Sequence, residues 1–205
     1  MKKLESSILN MTLVLTGVAA VMGGILSYVN DLTSGPINQQ KEMALANGIK
    51  TVMTYEELTV AHTDTVKRND AKGKEYTYII YQTRDAQGND LGAAVQSTTS
   101  GFGGSLKVLV GFDTEGNILG YTLLEHQETP GLGAKADKWF QKGEKGDIVG
   151  KNPQEPLTVS KDGGQVDAIT ASTITSRAFL LAVNNAYNAY TSSPVDAHTG
   201  ATQKK

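Results

Sequence analysis

Apolar and polar residues follow one another along this chain with different periods in different places. From Ile8 to Val29 there is no charged residue, and about twenty helical residues suffice to cross a hydrocarbon core, so the segment predicts one membrane span. After the turn-like Leu32-Thr33-Ser34-Gly35, Pro36 is placed to open a second helix to about Met53. Its apolar residues are Ile37, Met43, Leu45, Ile49 and Val52, and Gly48 weakens its last turns. Glu75 to Thr83 is dense in Tyr and Ile and predicts a strand, Gln87 to Asp90 a turn, and Leu91 to Ser97 the return strand. A second pair follows, Leu106 to Phe112 and Ile118 to Leu124, around the turn Asp113-Thr114-Glu115-Gly116. Ala134 to Gln141 predicts a short helix offering Trp139 and Phe140 as core residues, and Lys142 to Gly150 a charged, glycine-rich loop. From Ile174 to Tyr190, Ile174, Phe179, Leu180, Val183 and Ala186 recur at helical intervals without Pro or Gly. The pattern predicts an α+β fold: an antiparallel sheet with flanking helices, preceded by one transmembrane helix. The expected boundaries are an amino terminus and anchor over residues 1–30, a domain over 31–190, and a disordered polar tail over 191–205.

Charge adds an orientation. Lys2, Lys3 and the terminal amine precede the span, partly offset by Glu5, whereas Asp31 is the first charge after it and Lys41 the next basic residue. That asymmetry places the amino terminus in the cytoplasm and the domain across the membrane. A cleaved signal peptide is the alternative, since Val18-Ala19-Ala20 suits a signal peptidase, but the apolar stretch continues well past it. Ala20 with Gly24 and Ala19 with Gly23 share a helix face, either for close approach of another transmembrane helix or because small residues are common in spans.

Composition narrows the chemistry. Across 205 residues the net charge is -2 without a basic stripe, so nothing suggests nucleic acid. Cysteine is absent, which removes thiolate nucleophiles, disulfides and Cys-ligated iron–sulfur clusters. His62, His126 and His198 lie far apart, without metal-ligand spacing. Redox work would therefore need a borrowed organic cofactor or a metal, the latter held by ligands gathered from distant parts of the chain.

The segment Asp167-Ala168-Ile169-Thr170-Ala171-Ser172-Thr173-Ile174-Thr175-Ser176-Arg177 carries five hydroxyl residues where the last helix begins. Helix capping uses one or two of them. The surplus also fits an anion site, because a helix amino terminus offers free N–H donors to a phosphate. The segment resembles the FMN-binding domain family, that is, the G subunit of the Rnf electron-transport complex and the related C subunit of the sodium-translocating NADH:quinone reductase. In that family Asp-x-x-Ser/Thr-Gly-Ala-Thr directs a flavin transferase to join the FMN phosphate to the final threonine. Asp167 and Thr170 match, and the flavin-bearing position falls on Thr173, with Thr170 and Thr175 as substitutes if the register differs. Ala171 stands where glycine is usual and Ser172 where alanine is. If that glycine takes a positive φ, alanine costs on the order of 1 kcal/mol.

Glu125-His126-Gln127-Glu128-Thr129-Pro130-Gly131-Leu132-Gly133 follows a predicted strand and ends in a Pro-Gly turn. Its glycines let a backbone approach a flat ring, and Thr129 offers a hydrogen bond; an ordinary strand-end turn is the plain alternative. The stretch resembles the Glu-His-x-Glu-Thr-Pro-Gly-Leu-Gly segment of Rnf G subunits at every named position. Thr99-Ser100-Gly101-Phe102-Gly103-Gly104 is similar to the family's glycine-rich loop, or is a flexible hairpin connection. The resemblance covers nearly the whole chain. It implies covalent FMN on Thr173, with Asp167, Thr170, Ser172, Thr175, Ser176, His126, Glu128, Thr129, Gly131, Leu132, Gly133, Gly101 and Phe102 around the cofactor. It further implies an electron-carrying subunit of a ferredoxin:NAD oxidoreductase that moves Na+ or H+, with the other Rnf subunits and a maturation flavin transferase as partners. The C subunit of the quinone reductase, a stand-alone extracytoplasmic flavoprotein and a non-redox anchored binding module remain as alternatives.

Overall fold

Ile8–Met53 is one unbroken helix, α1, in the computed structural model, which describes residues 7–55, 57–69 and 75–192. The predicted turn at Leu32 to Gly35 does not form: Pro36 sits inside the helix. An interior proline forfeits one backbone hydrogen bond and crowds the carbonyl four residues back, whereas ending a helix strands about four N–H and four C=O groups. Gly35 has no Cβ to meet the proline ring. Thr33 donates to the Val29 carbonyl at 2.8 Å and Ser34 to that of Asn30 at 2.5 Å, so the turn-forming hydroxyls are absorbed by the helix. Ile8 to Val29 would extend about 33 Å at about 1.5 Å per residue, and its large apolar side chains are exposed. Among the described residues α1 is the one helix long and apolar enough to cross a membrane. The predicted tail over 191–205 begins too early, because Thr191 and Ser192 are the last residues of the final helix; residues 193–205 and the amino-terminal lysines lie outside the described residues.

The chain divides into two compact units, Met1–Ala44 and Leu45–Lys205. In the second unit five antiparallel strands run in sequence order: β1 (Thr59–Asn69), β2 (Glu75–Arg84), β3 (Asp90–Ser100), β4 (Ser105–Phe112) and β5 (Ile118–His126). The two predicted hairpins are β2–β3 and β4–β5, whereas β1 has no counterpart among the expected strands. Its sequence, Thr-Val-Ala-His-Thr-Asp-Thr-Val-Lys-Arg-Asn, is mostly polar, and it lies at the sheet edge, where no apolar alternation is demanded.

Strand alternation sorts the core into two layers. Tyr78, Ile80, Ala93, Val95, Val108, Val110 and Phe112 face the helix α3 (Thr173–Ser192), meeting Phe179, Leu180, Val183 and Ala186. Tyr81, Ala94 and Leu109 face the other way, against Ile49, Val52 and Met53 at the end of α1. Gly111 and Gly120 are register partners, and a Cβ on Gly111 would collide with the Val52 carbonyl, so this pair makes the notch that admits the α1 backbone. A 3-10 turn (Gly133–Lys135) leads into the short α2 (Ala136–Trp139). Phe140 is fully buried and stacks on Phe179 at 4.3 Å, as its core reading expects. Tyr121 donates to the Ala136 carbonyl at 2.6 Å, and burial pushes its phenol far above the usual range.

Candidate functional site

The hydroxyl-rich segment is a tight turn feeding α3. Ser172 N–H donates to the Ile169 carbonyl, and Ala171 between them holds φ +61°, the left-handed conformation glycine adopts without strain. The helix then opens with Ser176 N–H donating to the Ser172 carbonyl. The Ser176 hydroxyl, fully buried, accepts from Ile169 N–H at 2.9 Å and donates to the Ser172 carbonyl at 3.0 Å, so one side chain locks the chain's entry. Thr175 is also buried and donates to Oε2 of Glu128 at 2.7 Å. Thr173 is half-buried, and Thr170 is exposed. The structure thus leaves Thr170 and Thr173 outward and turns Ser172, Thr175 and Ser176 inward, the Thr175 hydroxyl being engaged with Glu128.

Glu128 joins the three motifs. It is 5% exposed, accepts from Thr175 through Oε2 and from Gly103 N–H through Oε1 at 3.2 Å. A Cβ on Gly101 would strike Oε1, and one on Gly133 would strike Oε2 and the Thr175 hydroxyl. The glycines of the 99–104 loop and of the Pro-Gly turn therefore serve close packing around a carboxylate. Thr99, buried, adds a bond of 2.9 Å from its hydroxyl to the Ala178 carbonyl and pins the same loop to α3. In the Pro-Gly turn the Thr129 carbonyl accepts from Leu132 and Ala134 N–H groups, and Gly131 holds φ +76°. His126 is exposed, its Nδ1 accepting from Glu128 N–H at 3.3 Å.

Facing the mouth of α3 is a chain excursion absent from the sequence-based expectations. Val159 and Val166 form an isolated bridge, and the 3-10 turn Ser160–Asp162 lies at its tip. Arg177 grips Asp162 with two bonds of 2.7 Å, which holds the Asp162 carboxyl below the usual carboxylate range. Ser160 donates to Asp167 Oδ1 at 3.1 Å, and the Trp139 indole donates to the Asp167 carbonyl at 2.8 Å. Lys161 extends to Thr173 Oγ1 at 3.3 Å. No local pattern marks Lys161; only the return of the chain at Val166 brings it to a hydroxyl twelve positions away.

Phe102, Leu132 and Ile174 are large apolar side chains left 70%, 42% and 54% exposed. Each is next in sequence to a residue packed on Glu128: Gly101 and Gly103, Gly133, and Thr175. A half-buried hydroxyl, a lysine against it, the N–H groups of a helix's first turn and exposed apolar side chains can take an anionic ester and a flat aromatic group together. Among the described residues no cluster of His, Asp and Glu is arranged to hold a metal.

Residues 101–188 match the model of the FMN-binding domain family. The chain is 34% identical to the G subunit of the ion-translocating oxidoreductase complex of Vibrio cholerae serotype O1 strain M66-2, over 85% of this chain and 86% of that protein. It is 33% identical to the protein of the same name from Shewanella piezotolerans, over 88% of each chain. The corresponding protein of Yersinia pestis is 35% identical over 82% of this chain and 83% of its own. Among solved structures it is similar to the crystal structure of Shewanella oneidensis NqrC, with a TM-score of 0.48 at 14% identity, covering 73% of this chain and 93% of that one.

Proposed function

Because the chain belongs to the family of G subunits of ion-translocating oxidoreductase complexes, we propose that it is an electron-carrying subunit of such a complex and holds FMN as a phosphodiester on Thr173. The observation that carries this reading is the meeting of three separated motifs at Glu128, beside the outward hydroxyl that opens α3. Bound FMN would supply one- and two-electron transfer. The residues' own work is placement. Thr173 offers the oxygen, the N–H groups of the first turn favour a negative charge nearby, and Phe102, Leu132 and Ile174 shield one side of an aromatic ring from water. Gly131 and Thr129 let the Pro-Gly turn approach that ring, with His126 at its margin. Ser172, Thr175, Ser176, Gly101 and Gly133 act from beneath by fixing the turn. Asp167 and Thr170, at the surface, present the segment to a flavin transferase during maturation.

The wider assignment is ferredoxin:NAD electron transfer coupled to Na+ or H+ movement, shared with the other membrane subunits of an Rnf-type complex. The apolar part of α1 anchors the chain in a bacterial cytoplasmic membrane, with residues 1–30 as cytoplasmic terminus and anchor and 31–190 as the extracytoplasmic flavin domain. Intact-protein mass after co-expression with a flavin transferase tests the attachment. The wild-type protein is expected to gain one FMN less one water, and Thr173→Val to gain nothing. An unmodified wild-type protein overturns the assignment; reporter fusions at the two ends test the orientation.

A further inference from the structure

We propose that Lys161 is the counter-cation of the flavin phosphodiester: it holds the Thr173 oxygen ready for esterification and pairs with the phosphate charge afterwards. This rests on the reading of Thr173 as the attachment site. Lys161 Nζ lies 3.3 Å from Thr173 Oγ1, and an ammonium group has donors only, so Thr173 is the acceptor in this contact. The hydroxyl proton of Thr173 donates to no other group among the described residues, which leaves it free to be removed.

The position of Lys161 is built by the chain around it. Ser160 N–H donates to the Val166 carbonyl at 2.8 Å and Val166 N–H to the Thr158 carbonyl at 3.2 Å, closing the base of the excursion. A Cβ on Gly164 would collide with the Thr158 backbone, so the return is tight. The tip is fastened to α3 through Asp162 and Arg177, and Arg177 stands one helical turn beyond Thr173. Asp162 and Arg177 neutralise each other. Lys161, between Ser160 and Asp162, has no carboxylate within ion-pair distance among the described residues and is the uncompensated positive charge at this hydroxyl.

That charge has a use on both sides of the modification. With a flavin dinucleotide as donor, Thr173 Oγ forms a bond to the phosphorus of the FMN half as the pyrophosphate P–O bond breaks. The nucleoside monophosphate departs with the bonding pair, and the threonine proton passes to a base of the transferase. A donor contact on Oγ from an ammonium group eases loss of that proton. Once the ester is made, its non-bridging oxygens share a phosphorus with Oγ1 and carry one negative charge within reach of Nζ. A charge-assisted hydrogen bond to an anion then replaces one to a neutral hydroxyl.

The test is the rate of flavin attachment to the purified full-length protein in detergent, with a flavin transferase and flavin adenine dinucleotide, read by in-gel fluorescence and intact mass. Lys161→Ala is expected to slow attachment about fivefold, the scale of one solvent-exposed charge pair. Lys161→Glu slows it further, and Lys161→Arg recovers to within about twofold of wild type. Lys142→Ala, a change of the same charge elsewhere, leaves the rate unchanged. Raising salt should slow the wild type and the Arg variant but not the Ala variant. Attachment to Lys161→Ala at the wild-type rate, or an Arg variant as slow as the Ala variant, overturns the role of the charge. A wild-type protein that takes no flavin overturns the attachment site itself, and this inference with it.

Discussion

Within seven residues the chain places hydroxyls of the same kind in opposite circumstances. Thr175 and Ser176 are buried, their oxygens spent on Glu128, Ile169 N–H and the Ser172 carbonyl. Thr170 and Thr173 face outward, and among the described residues the one side chain hydrogen-bonded to Thr173 is Lys161. The inward pair costs free energy if left unsatisfied, so it is bound into a closed network. In the outward pair, among the described residues, neither hydroxyl proton is given to a protein acceptor, and Thr173 accepts from Lys161. Within α3, helical phase divides the labour: Thr173 lies on a face apart from buried Thr175 and Ser176.

Breaking the inward side should have the largest effect. Glu128→Ala leaves the Thr175 hydroxyl and Gly103 N–H without their acceptor, and a loss of about 3 kcal/mol is expected in denaturant titrations, with the 99–104 loop released. Thr175→Val keeps the shape and removes one bond to a carboxylate, with a loss of about 2 kcal/mol. Thr173→Val supplies the contrast: stability should stay within about 0.5 kcal/mol while flavin attachment disappears. If Thr173→Val destabilises the protein as much as Thr175→Val does, the division between inward and outward hydroxyls is wrong.

Smaller changes sharpen the comparison. Ala171→Gly relieves the left-handed conformation at φ +61° and should raise stability by up to about 1 kcal/mol without moving the turn. Thermal unfolding with and without attached flavin would show whether the gain survives modification. Ser97, under α3, has a buried hydroxyl with no partner among the described residues. Ser97→Ala should be neutral or stabilising by a few tenths of a kcal/mol, unlike any change at Thr175.

Much of this protein is set locally and is legible along the chain. An uncharged run of twenty-two residues can only be a helix if it lies in lipid, since every backbone polar group must be satisfied within it. The hairpins β2–β3 and β4–β5 follow from alternating apolar residues around Asp- and Gly-bearing turns, and α3 from uninterrupted helical spacing. The motifs around Thr99, Glu128 and Thr173 are visible as motifs and carry the family resemblance. Tertiary structure decided the rest, because the deciding contacts join residues far apart in sequence. Polar β1 is a strand because β2 needs an edge partner, and α1 passes Pro36 because the helix loses less by continuing than by stopping. Glu128 became the buried centre of the site only when β5's exit met α3, and Lys161 reached Thr173 only through the bridge between Val159 and Val166. Periodicity records how one element meets water and core; it holds no record of which distant side chain stands opposite.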